Sequence, residues 1–215
     1  MTHPSGSDLL VLHAVRLLGV ADDHTAARRY ALEPAATKDL LLDYQAFGWI
    51  SWSEFAGIGG WSLTASGRAE NERRLAAELA TAAGVGTVRE TYRAFLPLNE
   101  RLQIACTQWQ LRPTDDDPYA FNDHTDPAWD RGVIVELSAL AERLGPLSED
   151  LAGVLDRFQG YHARFAAALD RVLAGDPAWV DRTNVDSCHK VWFELHEDLI
   201  ATLGLTRGVE PSDDR

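Results

Sequence analysis

Cysteine is scarce in this chain: there are two in 215 residues, Cys106 and Cys188, each inside a helical pattern and neither with a close Cys-x-x-Cys partner. Neither a disulfide framework nor a zinc knuckle is therefore indicated, and both thiols are expected as reduced, buried packing residues. Long apolar runs are missing as well. No stretch approaches the roughly 20 residues that a membrane helix needs, and the start, MTHPSGSDLL, has no basic region leading into an apolar one. The expectation is a cytoplasmic chain with no membrane contact. The sequence also lacks a glycine-rich phosphate loop, a nucleophile elbow and a His-Glu-x-x-His pair, so neither an enzyme nor a resident cofactor is expected.

Positive charge is the remaining shortage. Lysine and arginine total 20 against 33 acidic residues, for a net charge of −13. The excess is uneven: residues 1–83 hold seven basic and ten acidic side chains, and the other 13 basic and 23 acidic residues follow. What is abundant is apolar residue content, at 46%, enough for a hydrophobic core.

Along the chain, Leu10, Ala14, Leu17 and Leu18 recur at helical spacing from Ser7 and stop at Gly19. Asp22, Asp23 and Thr25 offer caps for a short second helix reaching about Ala31, and Pro34 opens a third with Leu40, Leu41, Tyr44 and Phe47 inward. Two short strands then flank the turn glycines of Ala56-Gly-Ile-Gly-Gly60, and Thr64 caps a helix to about Ala83. Gly84 and Gly86 mark a domain junction. Beyond it the pattern is helical. Val88, Tyr92, Phe95, Asn99, Leu102, Cys106 and Trp109 form one stripe with Pro97 as a place for a kink, and a polar loop runs from Arg112 to Pro127. Further helices are expected from Trp129 to Leu144, Ser148 to Phe158, Tyr161 to Ala174, and about Thr183 to Leu203. The fold class is thus mainly α, with three helices and a β-hairpin followed by an all-helical bundle. The divisions fall at 1–83, 84–207 and a polar tail, 208–215.

The passage Gly60-Trp-Ser-Leu-Thr-Ala-Ser-Gly-Arg68, at the end of three helices and a hairpin, resembles the wing-to-helix segment of MarR-like winged helix-turn-helix regulators. The resemblance covers roughly residues 7 to 80. It implies a transcriptional regulator bound to double-stranded DNA as a homodimer, with the third helix in the major groove and the hairpin at an adjacent groove or the backbone. On that footing Thr37, Lys38 and Gln45 are the outward readers, beside Asp39, and Arg28 and Arg29 are placed to touch phosphates. The hairpin tip, Phe55 to Gly59, carries no arginine or lysine. That departure, and the shortage of cations, leave open a winged helix that serves as a protein-interaction module without DNA contact.

The last helix shows two adjoining apolar stripes, one with Val185, Cys188, Trp192, Leu195 and Leu199, the other with His189, Phe193, His196 and Ile200. Enclosed histidines beside tryptophans suggest a pocket for a small hydrophobic effector, with Trp109, His189, Trp192 and His196 on its wall. A metal site is not expected. His189 and His196 stand about 10 Å apart at the helical rise, and the Asp186–His189 spacing has no second pair to complete it.

Overall fold

The computed structural model describes residues 2–55 and 57–205, so the expected tail from Gly208 to Arg215 lies outside the described residues. The chain is mainly helical, with one two-stranded antiparallel sheet. It divides into two compact units. The first takes Met1–Val85, Gly153–Arg157 and the chain from Glu197; the second takes Gly86–Ala152 and Phe158–His196. The first unit therefore gathers two later segments that no local sequence signal assigns to it.

In the first unit, α1 (Ser7–Leu18) buries Leu9, Val11, Leu12, Ala14, Val15 and Leu17, covering nearly its whole circumference. It ends where Gly19 takes a φ of 74°, a left-handed conformation that glycine adopts without Cβ strain. The short α2 (Asp23–Arg29) is capped by Asp22, whose carboxylate accepts from Thr25 N at 2.6 Å. In α3 (Pro34–Ala46), proline sits in the first turn where no N–H is missed, and the Glu33 carboxylate accepts from Ala35 N and Ala36 N.

Strands β1 (Ile50–Phe55) and β2 (Ile58–Leu63) pair with Trp52 opposite Trp61, their rings edge-on at 5.0 Å. Ala21 bonds in both directions with Trp61, which joins the connection after α1 to the hairpin. Helix α4 (Ala65–Ala82) begins at Thr64, whose hydroxyl accepts from Gly67 N and donates to Gly48 O at 2.7 Å. A Cβ on Gly67 would lie 1.8 Å from Trp49 O, so glycine is what allows α4 to start directly against the hairpin. Val11, Leu12, Val15, Ala26, Leu41, Tyr44 and Ile50 form the core of this unit, and Leu9, Leu75 and Ala201 form a smaller apolar cluster. At roughly 1.5–3 kcal/mol per buried large apolar side chain, these contacts supply its main driving force.

In the second unit, α5 (Val85–Gln110) buries the expected stripe, Val88, Tyr92, Phe95, Leu102, Cys106 and Trp109, and runs through Pro97 without interruption. Helix α6 (Pro127–Val154) corrects the expected break between Leu144 and Ser148, for Pro146 lies inside one helix of 28 residues. Proline removes one hydrogen bond, but the buried Leu140, Leu144, Ser148 and Leu151 on both sides of it reward continuity. Helix α7 (Tyr161–Leu173) follows, and α8 (Cys188–Leu203) starts later than the expected Thr183 because the buried Ser187 caps it through Lys190 N. No described helix is long and apolar enough to cross a membrane.

Candidate functional site

Helix α3 presents Ala35, Ala36, Lys38, Asp39, Leu42, Asp43, Gln45 and Ala46 outward. Lys38 and Gln45 are thus where the sequence places them. Thr37 is not: it is 1% exposed and its hydroxyl donates to Glu33 O at 2.9 Å. The correction follows from helical phase, since Thr37 shares one face with Leu41 and Tyr44, both buried. On α2, Arg28 is exposed and donates to Thr25 Oγ1, as a phosphate-reaching cation can. Arg29 departs from that expectation, being half-buried with its guanidinium 4.5 Å from the Tyr30 ring centroid and contributing to the field at Asp198.

The other cations of the first unit are already engaged. Arg73 and Arg74 both donate to Glu70, Arg74 also reaches Asp8 at 2.8 Å, and Arg68 meets Glu197 at 3.4 Å. Arg16 is buried between Glu72 and Glu197, each at 2.9 Å. Arg28 and Lys38 are the cations left exposed near α3, and Asp39 and Asp43 share its surface. Apolar side chains are exposed here too: Phe47 at 62% and Leu42 at 48%.

Behind this surface lies a buried ionic cluster that the sequence does not announce. Asp198, fully buried, stands 3.0 Å from His13 Nε2 and accepts from Arg157 Nη1. Arg157 in turn donates from Nε to Glu78 Oε2 at 2.9 Å and from Nη2 to Thr202 Oγ1 at 2.7 Å. His13 Nδ1 faces the Asn71 amide at 3.3 Å. Burial alone would raise the Asp198 carboxyl, but Arg157 and His13 together outweigh it and hold it well below the usual carboxylate range. Burial likewise dominates at His13, whose pKa lies below the ordinary value despite the attraction of Asp198. The cluster ties α1, α4 and the end of α8 to Arg157. Partners this far apart in sequence leave no periodic trace; the only local sign was His13 and Arg16 interrupting an otherwise apolar helix.

In the second unit, Trp192 is 1% exposed, stacked on Phe95 at 4.9 Å and edge-on to Phe165, with Nε1 donating to Asn99 Oδ1 at 3.2 Å. His196 packs on the same Phe95 and on Tyr92. These two expected residues therefore share a wall. Trp109 instead lies against His124, with centroids 4.6 Å apart, beneath the polar loop, where the buried Asn122 donates to Trp109 O and to Asp130. His189 is exposed, contrary to its expected place inside the apolar face, because α8 begins at Cys188 and leaves His189 in its first turn. Burial, foremost, pushes the thiols of Cys106 and Cys188 up to about 12, so neither is a nucleophile at neutral pH. Among the described residues no group of three or more His, Cys, Asp or Glu could hold a metal ion.

Against known proteins, no family model, no curated protein and no solved structure matches the chain.

Proposed function

We propose that the first unit is a winged helix-turn-helix and that the protein is a DNA-binding transcriptional regulator, acting as a homodimer and using its second, helical unit to sense an effector or partner. The observation that carries this reading is the order of the first unit: three helices, a tight hairpin, and a fourth helix seated against that hairpin through Gly67. This order frees the outer face of α3 for a major groove, with Lys38 and Gln45 as base-edge readers and Arg28 on a neighbouring phosphate. In the second unit, the layer of Tyr92, Phe95, Trp192 and His196 is the surface an effector would have to rearrange. Capture of genomic DNA fragments by the purified protein, followed by sequencing, tests the reading. Enrichment of a two-fold symmetric sequence supports it, and recovery indistinguishable from a no-protein control refutes it.

A second reading is favoured by the charge on α3. Asp39 and Asp43 share its exposed face with Leu42, and Arg68, Arg73 and Arg74 are held by carboxylates. An acidic face with exposed Leu42 and Phe47 suits a basic, amphipathic protein segment better than a polyanion. On this reading Leu42→Ala with Phe47→Ala abolishes partner binding, and DNA leaves the protein unshifted in a gel.

A further inference from the structure

The polar loop that joins α5 to α6 is fastened along its length. Arg112 N donates to Ala120 O and Asn122 N to Gln110 O, each at 2.9 Å, so that Leu111 and Phe121 pair across the neck of the loop. Farther out, Thr114 N donates to Asp117 O and Tyr119 N to Asp117 Oδ1, and the Arg112 guanidinium meets Asp126 at 2.9 Å. Exposure alternates along the returning side. Ala120 is half-buried and Asn122 is buried, whereas Tyr119 is 76% exposed and Phe121 is 86% exposed.

The bonds that hold the loop run through its backbone and through Asp117, Asn122 and Asp126, so the two aromatic rings do not hold it in place. An aromatic ring carries one of the largest apolar surfaces a side chain can bury, and here two of them, two residues apart, stand in water. Aromatic side chains are enriched where protein partners meet. A loop already fixed by hydrogen bonds also loses little freedom when it docks, so its rings can anchor a partner at low entropic cost.

Charge decides which partner. From Arg112 to Asp126 the loop has five aspartates and one arginine, and that arginine is paired. Asp115, Asp116 and Asp123 are exposed and form no ion pair among the described residues. Such a rim repels a nucleic acid or an anionic membrane, and at this loop it also opposes a second copy of a chain that carries −13. It attracts a surface in which lysine or arginine flanks an apolar strip. We propose that Tyr119 and Phe121 anchor a docking surface for a basic, amphipathic segment of another protein, with its apolar residues on the two rings and its cations facing Asp115, Asp116 and Asp123. The surface uses residues of the second unit alone and does not depend on what α3 contacts.

Titration of the full chain with a fluorescein-labelled helical peptide of lysine and leucine, with leucine on one face, tests this by anisotropy and by two-dimensional amide NMR. The expected result is saturable binding that weakens as salt rises, with shifts at Ala120, Phe121, Asn122 and Asp123. Tyr119→Ser with Phe121→Ser should weaken binding at least about tenfold, as the loss of two anchors, while the thermal midpoint and the oligomeric state stay unchanged. Leu42→Ala with Phe47→Ala should leave the shifts at the loop in place. The same peptide with glutamate for lysine should not bind, and an oligolysine without leucine should bind at least about tenfold more weakly. The proposal is overturned by shifts confined to α3, by oligolysine binding as tightly as the leucine peptide, or by an unchanged affinity in the Tyr119, Phe121 variant. Absence of saturable binding, or a change of oligomeric state in that variant, overturns it equally.

Discussion

Asp198→Asn removes one charge from a site where Asp198 and the Arg157 side chain are both fully buried. In the native protein Asp198 meets Arg157, His13 at 3.0 Å and the Thr202 hydroxyl at 3.2 Å. Without its charge, Arg157 still faces the Glu78 carboxylate at 2.9 Å. Breaking a buried pair by removing one partner costs about 3–5 kcal/mol, a large part of the roughly 5–15 kcal/mol that stabilises a typical domain. With a urea m-value of about 2 kcal/mol per molar, the midpoint should fall by about 2 M. Tryptophan fluorescence can follow it, since Trp49, Trp52 and Trp61 all lie in the first unit. The double variant Asp198→Leu, Arg157→Met removes both charges and should cost less than the single change. A loss below about 1 kcal/mol for Asp198→Asn would refute the view that this pair is held together by mutual compensation.

Gly67→Ala forces a methyl to within 1.8 Å of the Trp49 carbonyl, where backbone rather than a side chain must move, so a loss of about 3 kcal/mol in urea unfolding is expected, and an unchanged midpoint would contradict the close seating of α4. Acid should destabilise the protein in two stages. The His13 pKa is lowered from 6.5, so the unfolded chain takes up a proton that the folded one refuses, and stability should fall as pH drops below 6.5, by up to about 1.4 kcal/mol per unit. Asp198, depressed from 3.8, contributes stability that is present above 3.8 and lost as pH falls further; equal stability at pH 7 and pH 5 would contradict the first stage. Trp192→Ala should cost about 3–5 kcal/mol in thermal unfolding, because Phe95 and Phe165 both pack on its ring; a tolerated change would instead indicate an adaptable effector pocket.

Much of the fold was written in local chemistry. Gly19, Asp22, Pro34 and Thr64 mark helix ends through caps that act within three or four residues, and the turn glycines between two short strands mark the hairpin. The inward turn of Thr37 was also legible, since Leu41 and Tyr44 follow it at helical spacing, but its polarity argued the other way. Continuity of α6 through Pro146 was not legible, because the packing that outweighs the lost bond comes from other helices. Arg157 and Asp198 each lie more than a hundred residues beyond His13, so nothing near His13 identifies these partners. The placement of Trp109 under His124 depends on the loop's own hydrogen bonds, which composition alone does not reveal.

Fluorescence anisotropy of a labelled random-sequence duplex, titrated with the protein over a range of salt, tests the proposed contact with DNA most directly. With Arg28 as the phosphate contact of each protomer and Lys38 at a base edge, binding should be weak, with a slope of log affinity against log salt of about −0.9 per protomer. Arg28→Ala with Lys38→Ala should abolish binding, while Arg29→Ala, on a side chain turned toward Tyr30, should leave it unchanged. No anisotropy change at low salt, or binding that survives loss of both Arg28 and Lys38, would contradict the account.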